Sequence, residues 1–356
     1  MPDELQLLAQ LVAIPSVSGE EAAVAAFVER TARAWGLATV RDDASVRIEV
    51  RGAASGPTLA LVSHLDVVPA GAGWTRDPFT PSIEGDRLYG RGSGDAKASV
   101  AAMVTAASDL ADGHGIECGR LLVILGYGEE TKNTTMERAV ERAGSIDAAV
   151  VGEPTNLDIA TAQRGLMMVD LVARGDQRHA GYAAADGEFV NAALVLARDL
   201  LRLEELFHGR AHPVLGRTTA TPTMLDAGVS RNVTPPVATA ILDVRSTPDW
   251  THDEIAGLLR ERLDSEVVVT SRRLVPCETP ADSPLLAAAS RARPEAARFG
   301  SPTCSDWVFL RHVDAIKAGP GTSRRSHTPD EYVDLPEVTA ARGFFARLAR
   351  DYLAER

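Results

Sequence analysis

The chain has 356 residues, enough for two or three domains, and its 45% apolar and 24% charged composition excludes a disordered or fibrous protein. Its 49 acidic residues outnumber the 37 basic ones, leaving a net charge of −12, so it lacks the basic footprint that nucleic-acid binding needs. No apolar run is long enough to span a membrane, and three scattered cysteines (Cys118, Cys277, Cys304) without a CxxC offer neither a disulfide framework nor a thiolate metal site.

The opening segment carries Asp3 and Glu4 where a signal peptide would carry Lys or Arg. Its stripe of Leu5, Leu8, Leu11 and Val12 predicts an amphipathic helix of the mature protein, in keeping with a reducing cytoplasm. Ser18 and Glu21 have the spacing of a capping box, which predicts a helix running to Gly36. The continuous apolar run at 58–63 follows Gly56-Pro57 and predicts a strand buried on both faces. An Ala-rich helix is expected over 95–111, a strand over 120–125, a helix over 135–143 and a strand over 148–152. This alternation predicts a mostly parallel sheet with helices on both faces.

From Gln163 the texture changes. Alternating strands are expected at 165–174, 220–229, 237–245 and 266–271, with helices at 189–207 and 252–263. That order suits a four-stranded, half-solvated antiparallel sheet with two helices on one face. The chain then returns to helix, strand and a last helix at 336–353. The expected organisation is therefore an α/β domain made of residues 1–162 and 273–356, interrupted by an inserted α+β domain at 163–272. The loop at 209–217 is expected to be mobile.

Acidic residues and histidines stand where the predicted strands end, which is where open α/β sheets place their ligands. His64 and Asp66 follow the buried strand, two residues apart and so on one face of an extended chain, where Asp66 is expected to hydrogen-bond the far nitrogen of His64. Glycines 90, 92 and 94 precede Asp95 and the Ala-rich helix. Neither GxGxxG nor GxxxxGK[ST] is matched, and a carboxylate there would repel phosphate, so a metal-binding Asp fits better than a nucleotide loop. Glu129-Glu130 and Glu153 each follow an apolar strand, and His327 lies on a Gly/Pro loop after the strand expected near 314–318. Each alone is what a solvated strand end looks like. Together they bring imidazoles and carboxylates, without a thiolate, to one sheet edge, a donor set suited to zinc, with manganese or cobalt as alternatives.

The segments SHLDVVPAG, GRGSGDAKAS, GEE at 128–130, GEPTN, GDQRHAGYA, SRNVTPP with LDVR, and GPG…SHTPDE occur in this order along the chain. In this the chain resembles the dinuclear zinc hydrolases that include acetylornithine deacetylase, succinyl-diaminopimelate desuccinylase, aminoacylase and glutamate carboxypeptidase. The resemblance implies two divalent ions per chain, one held by His64 and Glu153, the other by Glu130 and His327, with Asp95 between them. It implies Glu129 as the general base, Asp66 behind His64, and a cis peptide from Asp95 to Ala96. It further implies that the inserted domain forms a homodimer and places His179 in the partner subunit's site, while Asn232 and Arg245 contact the substrate. Cys304, Ser305 and Gly319 are expected on the substrate side. Cys304-Ser305-Asp306 replaces the common Thr-Ser-Asp, and Ala98 the common Gly.

The expected function is removal of an N-acyl group from an amino acid, as in acetylornithine deacetylase of arginine biosynthesis or its relatives that release lysine from an amino-group carrier protein. The alternatives are a dipeptidase or carboxypeptidase and a succinyl-diaminopimelate desuccinylase. Outside the enzymes, the alternative is a metal-free scaffold on the same fold, which should have lost its ligands. The expected partners are small N-acyl amino acids or short peptides, with no nucleic acid and no membrane.

Overall fold

The computed structural model describes residues 2–112, 115–131, 133–182 and 189–354, which form two compact units. The first comprises Met1–Thr161, Thr279–Phe299 and Ser305–Arg356; the second, Ala162–Glu278 with Gly300–Cys304, interrupts it.

In the first unit the apolar run at 58–63 lies in the strand Ala54–His64, whose last seven residues are all buried. It pairs in parallel with Cys118–Gly126 on one side and Ala148–Val151 on the other, and the latter pairs in parallel with Asp314–Lys317. These four strands are the parallel centre of the sheet. Antiparallel neighbours close its sides: the hairpin Ala38–Arg41 and Ser45–Arg51 beside Cys118–Gly126, and Ile159–Gln163 beside Asp314–Lys317. The sequence reading has no counterpart for this hairpin, although Ser45–Arg51 (SVRIEVR) alternates apolar and charged residues, the pattern of a strand covered on one face.

Helices cover both faces of this sheet. Ala98–Ala111 is buried on nearly every side, which its all-round apolar composition (ASVAAMVTAASDLA) permits, and it packs against Leu335–Ala354. The Ser18/Glu21 spacing does not cap the next helix. That helix runs Ala22–Ala34 without a side-chain cap, because Ser18 and Glu21 make hydrogen bonds elsewhere.

The second unit has a four-stranded antiparallel sheet in the order Thr219–Ala227, Val237–Ser246, Gly165–Arg174, Glu266–Leu274. Strict alternation along Gly165–Arg174 sends Met167, Val169, Leu171 and Ala173 to the covered face, where they meet Val244, Leu242, Ala240 and Ala238 in register. The helices Ala192–Leu206 and His252–Arg262 complete this core with Val195, Leu196, Leu203, Ile255 and Leu259. Among the described residues no helix is long and apolar enough to cross a membrane.

Candidate active site

The four central strands run in parallel, so their carboxyl ends share one edge of the sheet. His64 ends its strand, Glu129-Glu130 follow Cys118–Gly126, and Glu153 follows Ala148–Val151. Asp95 comes from the turn between Gly92 and the buried helix, and the Asp95–Ala96 peptide is cis. The two Asp95 oxygens face different histidines: Oδ1 lies 3.3 Å from His64 Nε2, and Oδ2 lies 3.7 Å from His327 Nε2. His327 Nε2 is also 3.0 Å from the Glu130 carboxylate. Ligand atoms of His64, Asp95 and Glu130 all lie within 4.8 Å of one another.

Asp66 departs from the expected arrangement. His64 Nδ1 is 3.0 Å from the Asp66 main-chain oxygen and 3.5 Å from its carboxylate, so the backbone is the closer partner. The carboxylate also accepts the N–H groups of Glu129 (3.0 Å) and Glu130 (3.1 Å) and the Ser18 hydroxyl (2.7 Å). Asp66 thus aims the acidic pair as well as steadying His64. Burial pushes its carboxyl up, but the hydrogen bond and charge of His64, then Ser18 and the Glu130 N–H, hold it down at about 2. Glu21 supports the same turn by accepting the N–H of Gly128 at 3.0 Å.

Sequence reasoning missed Asn133, and it named Asp306 only within Cys304-Ser305-Asp306, without its link to the acidic pair. Asn133 Nδ2 donates to Glu129 Oε1 (3.2 Å) and to Asp306 Oδ1 (3.3 Å), linking Glu129 to a buried acid far along the chain. No spacing announces such a pair; only the fold brings 133 and 306 together. Gly319 packs its main chain against Glu153, since a Cβ there would stand 2.6 Å from the Glu153 carbonyl oxygen and 2.4 Å from Ser99 Oγ. Ser305 is buried and caps the short turn Asp306–Leu310 by accepting the Trp307 N–H.

The other named residues lie in the second unit. His179 and Asn232 are both exposed and close together: His179 bridges to Val233, and Ala180 N–H donates to the Asn232 carbonyl at 2.8 Å. His179 Nδ1 accepts the Gly181 N–H at 3.1 Å. Arg245 is occupied within the chain, its fork held by both oxygens of Asp243 at 2.7 and 3.0 Å. Cys304 is half-buried, with Sγ 3.8 Å from Gln163 Nε2.

Negative charge accumulates at the sheet edge faster than the histidines offset it. Burial, then Glu153, pushes the Glu129 carboxyl well above the carboxylate range, with His64 opposing and Asp306 and Glu130 adding to the rise. Burial, then Asp95, pushes Glu153 to about 8. Burial disfavours a charge on His64, but hydrogen bonds to Asp66 and Asp95 outweigh it and raise its pKa well above 6.5. Several buried carboxylates around one point are costly without a cation. The donors are imidazole nitrogen and carboxylate oxygen with no sulfur, so the residues fit divalent metal.

This gives the metal-free protein a pH signature. Glu153 binds its proton more tightly folded than unfolded, so the stability it contributes is present at low pH and is lost as pH rises from 4.5 through about 8. His64, raised above 6.5, acts in the same direction. Two groups act in the opposite direction: Lys97, lowered by burial to about 7, only above that pH, and His252, lowered by burial, only as pH approaches 6.5, where Glu153 and His64 outnumber it. Metal-free protein is therefore expected to lose thermal stability between about pH 5 and about pH 7, and added divalent metal should abolish the loss. Melting curves with and without a chelator check this.

A parallel sheet whose strand ends bring histidines and carboxylates around Asp95 is an arrangement suited to metal-dependent hydrolysis. The family model for peptidase family M20/M25/M40 matches residues 60–351, and the chain belongs to that family, whose members hydrolyse amide bonds. It is 30% identical to a succinyl-diaminopimelate desuccinylase of Methylorubrum extorquens (strain PA1), over 95% of this chain and 97% of that protein. Among solved structures it resembles aminopeptidase PepT of Bacillus cereus (TM-score 0.83, 18% identity, 99% and 98% of the two chains). It also resembles the YXEP protein of Bacillus subtilis, a dinuclear metal-binding peptidase (TM-score 0.74, 17% identity, 99% and 98% of the two chains).

Proposed function

We propose that the chain removes an N-acyl group from an amino acid, with an N-succinyl amino acid of the diaminopimelate type as the first substrate to test. The observation that carries this is Asp95, whose two carboxylate oxygens face His64 and His327 separately, beside a Glu129 that neither histidine engages. His64 and Glu153 would hold one divalent ion, Glu130 and His327 a second, with Asp95 shared. Such ions, when bound, acidify water and polarise the scissile carbonyl; zinc, cobalt and manganese all suit this donor set.

Glu129 would take the proton of the attacking water and return it to the departing amine nitrogen. Its placement suits that role: Asp66 fixes its backbone, and Asn133 holds one carboxylate oxygen, leaving the other to face the reacting atoms. Glu130, its neighbour, is turned to His327 instead, so the pair divides into base and ligand. His179 of the partner subunit would stabilise the tetrahedral oxyanion in a homodimer formed through the second unit. Asn232, adjacent to His179, would contact the substrate. Arg245 could bind a substrate carboxylate only by giving up or sharing Asp243. Cys304, Ser305 and Gly319 would set acyl or side-chain preference.

The desuccinylase relatives favour a succinyl substrate over acetylornithine, and so favour lysine rather than arginine biosynthesis. The test is hydrolysis of N-succinyl-diaminopimelate, N-acetylornithine and a dipeptide panel by metal-loaded protein, followed as released amine. Preference for the succinyl substrate is expected. Turnover confined to dipeptides would make the chain a peptidase, and no turnover of any amide would overturn the proposal.

A further inference from the structure

The glycine loop before Asp95 has the form of an anion cradle, and the structure shows which anion fills it. Glu331 is 1% exposed and receives four donors. Its Oε1 accepts the N–H groups of Gly94 (3.0 Å) and Asp95 (3.1 Å); its Oε2 accepts Gly92 N–H (3.1 Å) and Arg91 Nη1 (2.6 Å). The Glu331 main-chain oxygen accepts the Gly90 N–H at 2.9 Å, and Tyr332 pairs with Tyr89 in the small sheet alongside. Arg91 is itself 1% exposed, donates to the Ala70 carbonyl and lies over the Trp74 ring. Glycine is required at 92, where φ is +80° and a Cβ would lie 2.4 Å from Val67 Cγ1.

Glu331 stands four residues beyond His327 and grips the turn that carries Asp95, so one carboxylate ties together two strands of the site. Burial and the Asp95 charge push its carboxyl upward, and the converging amides and Arg91 oppose them.

We infer that Glu331 is a positioning residue for the metal site: by receiving the N–H groups of Gly92, Gly94 and Asp95 it fixes the turn so that Asp95 presents one oxygen to His64 and the other to His327. This rests on the reading that these residues hold metal. A merely stabilising role is what any internal ion pair of this unit has, such as Arg342 with Asp109 and Glu4. A positioning role adds a loss of metal affinity, since partners that orient ligands are worth about 10- to 100-fold in affinity.

The test titrates metal-free wild type, Glu331→Gln, Arg91→Met/Glu331→Gln and the control Arg342→Met with Co(II) against a competing chelator, with circular dichroism to report folding. The double variant removes both charges of the buried pair at once, which proteins tolerate better than removing one. Both Glu331 variants are expected to fold and bind Co(II) about 10- to 100-fold more weakly, and the control to be less stable with wild-type affinity. Wild-type affinity in either folded Glu331 variant, or an equal loss in the control, would overturn the inference. So would failure of both Glu331 variants to fold, since the carboxylate would then hold the fold rather than the site. A wild-type chain that takes up no Co(II) would overturn the underlying reading, and the inference with it.

Discussion

Glu129→Gln is expected to keep its metals and lose about 10²- to 10⁴-fold in turnover, the range that a positioned general base supplies. The amide is nearly isosteric and still accepts the Asn133 hydrogen bond through its oxygen, but it cannot take a proton at neutral pH. In the metal-free chain burial, then Glu153, raises the Glu129 carboxyl above the carboxylate range, with Asp306 and Glu130 adding to the rise. Glu130→Gln is the contrasting case. Its carboxylate sits 3.0 Å from His327 Nε2, so the substitution should weaken metal binding first and turnover only in consequence. Metal analysis alongside kinetics separates the two. Equal metal loss in both variants would show that the acidic pair is not divided between base and ligand.

His179→Ala is expected to lose about 10²- to 10³-fold in turnover with its metals intact, the usual effect of removing one oxyanion donor. His179 is exposed just before the short turn Ala180–Tyr182, next to Asn232, and among the described residues it forms no ion pair with a carboxylate. The edge strand Thr219–Ala227 of the same unit leaves Met224 and Leu225 64% and 63% exposed, and unpaired apolar edges are natural pairing sites. In the homodimer proposed through this unit, it is the family resemblance that would place His179 of one subunit at the metals of the other. Mixing His179→Ala with Glu129→Gln protein should then restore activity, because a mixed dimer contains one site with both native residues. Demonstrated subunit exchange without restored activity, or an active monomer, would show that His179 does not act across subunits.

The parallel centre of the sheet and the alternating second unit were legible because burial leaves a period in the sequence. The apolar run 58–63 and the strict alternation of Gly165–Arg174 each state which faces are covered. The residues that meet at the strand ends were legible for the same reason, since a charge directly after a buried strand needs a partner. What held those residues in place was not. Asp66 reads as a companion of His64 two positions away, yet its carboxylate serves Glu129 and Glu130 sixty residues on. Ser18 and Glu21 have the spacing of a helix cap and are instead drawn to Asp66 and Gly128. Asp306 and Glu331 make their contacts across the fold, and Asn133, four residues from Glu129, also reaches Asp306 far along the chain. Candidate ligands follow from local pattern, whereas the groups placed to orient them follow from tertiary structure.

Whether Asp95 is shared between two divalent ions is measured most directly by metal stoichiometry, from elemental analysis of wild type and Asp95→Asn after loading and removal of free metal. About two ions per wild-type chain are expected, and loss of tight binding at both positions in the variant, because a shared ligand serves each. Wild-type stoichiometry and affinity in a folded Asp95→Asn protein, or a wild-type chain that retains no divalent metal, would contradict such sharing.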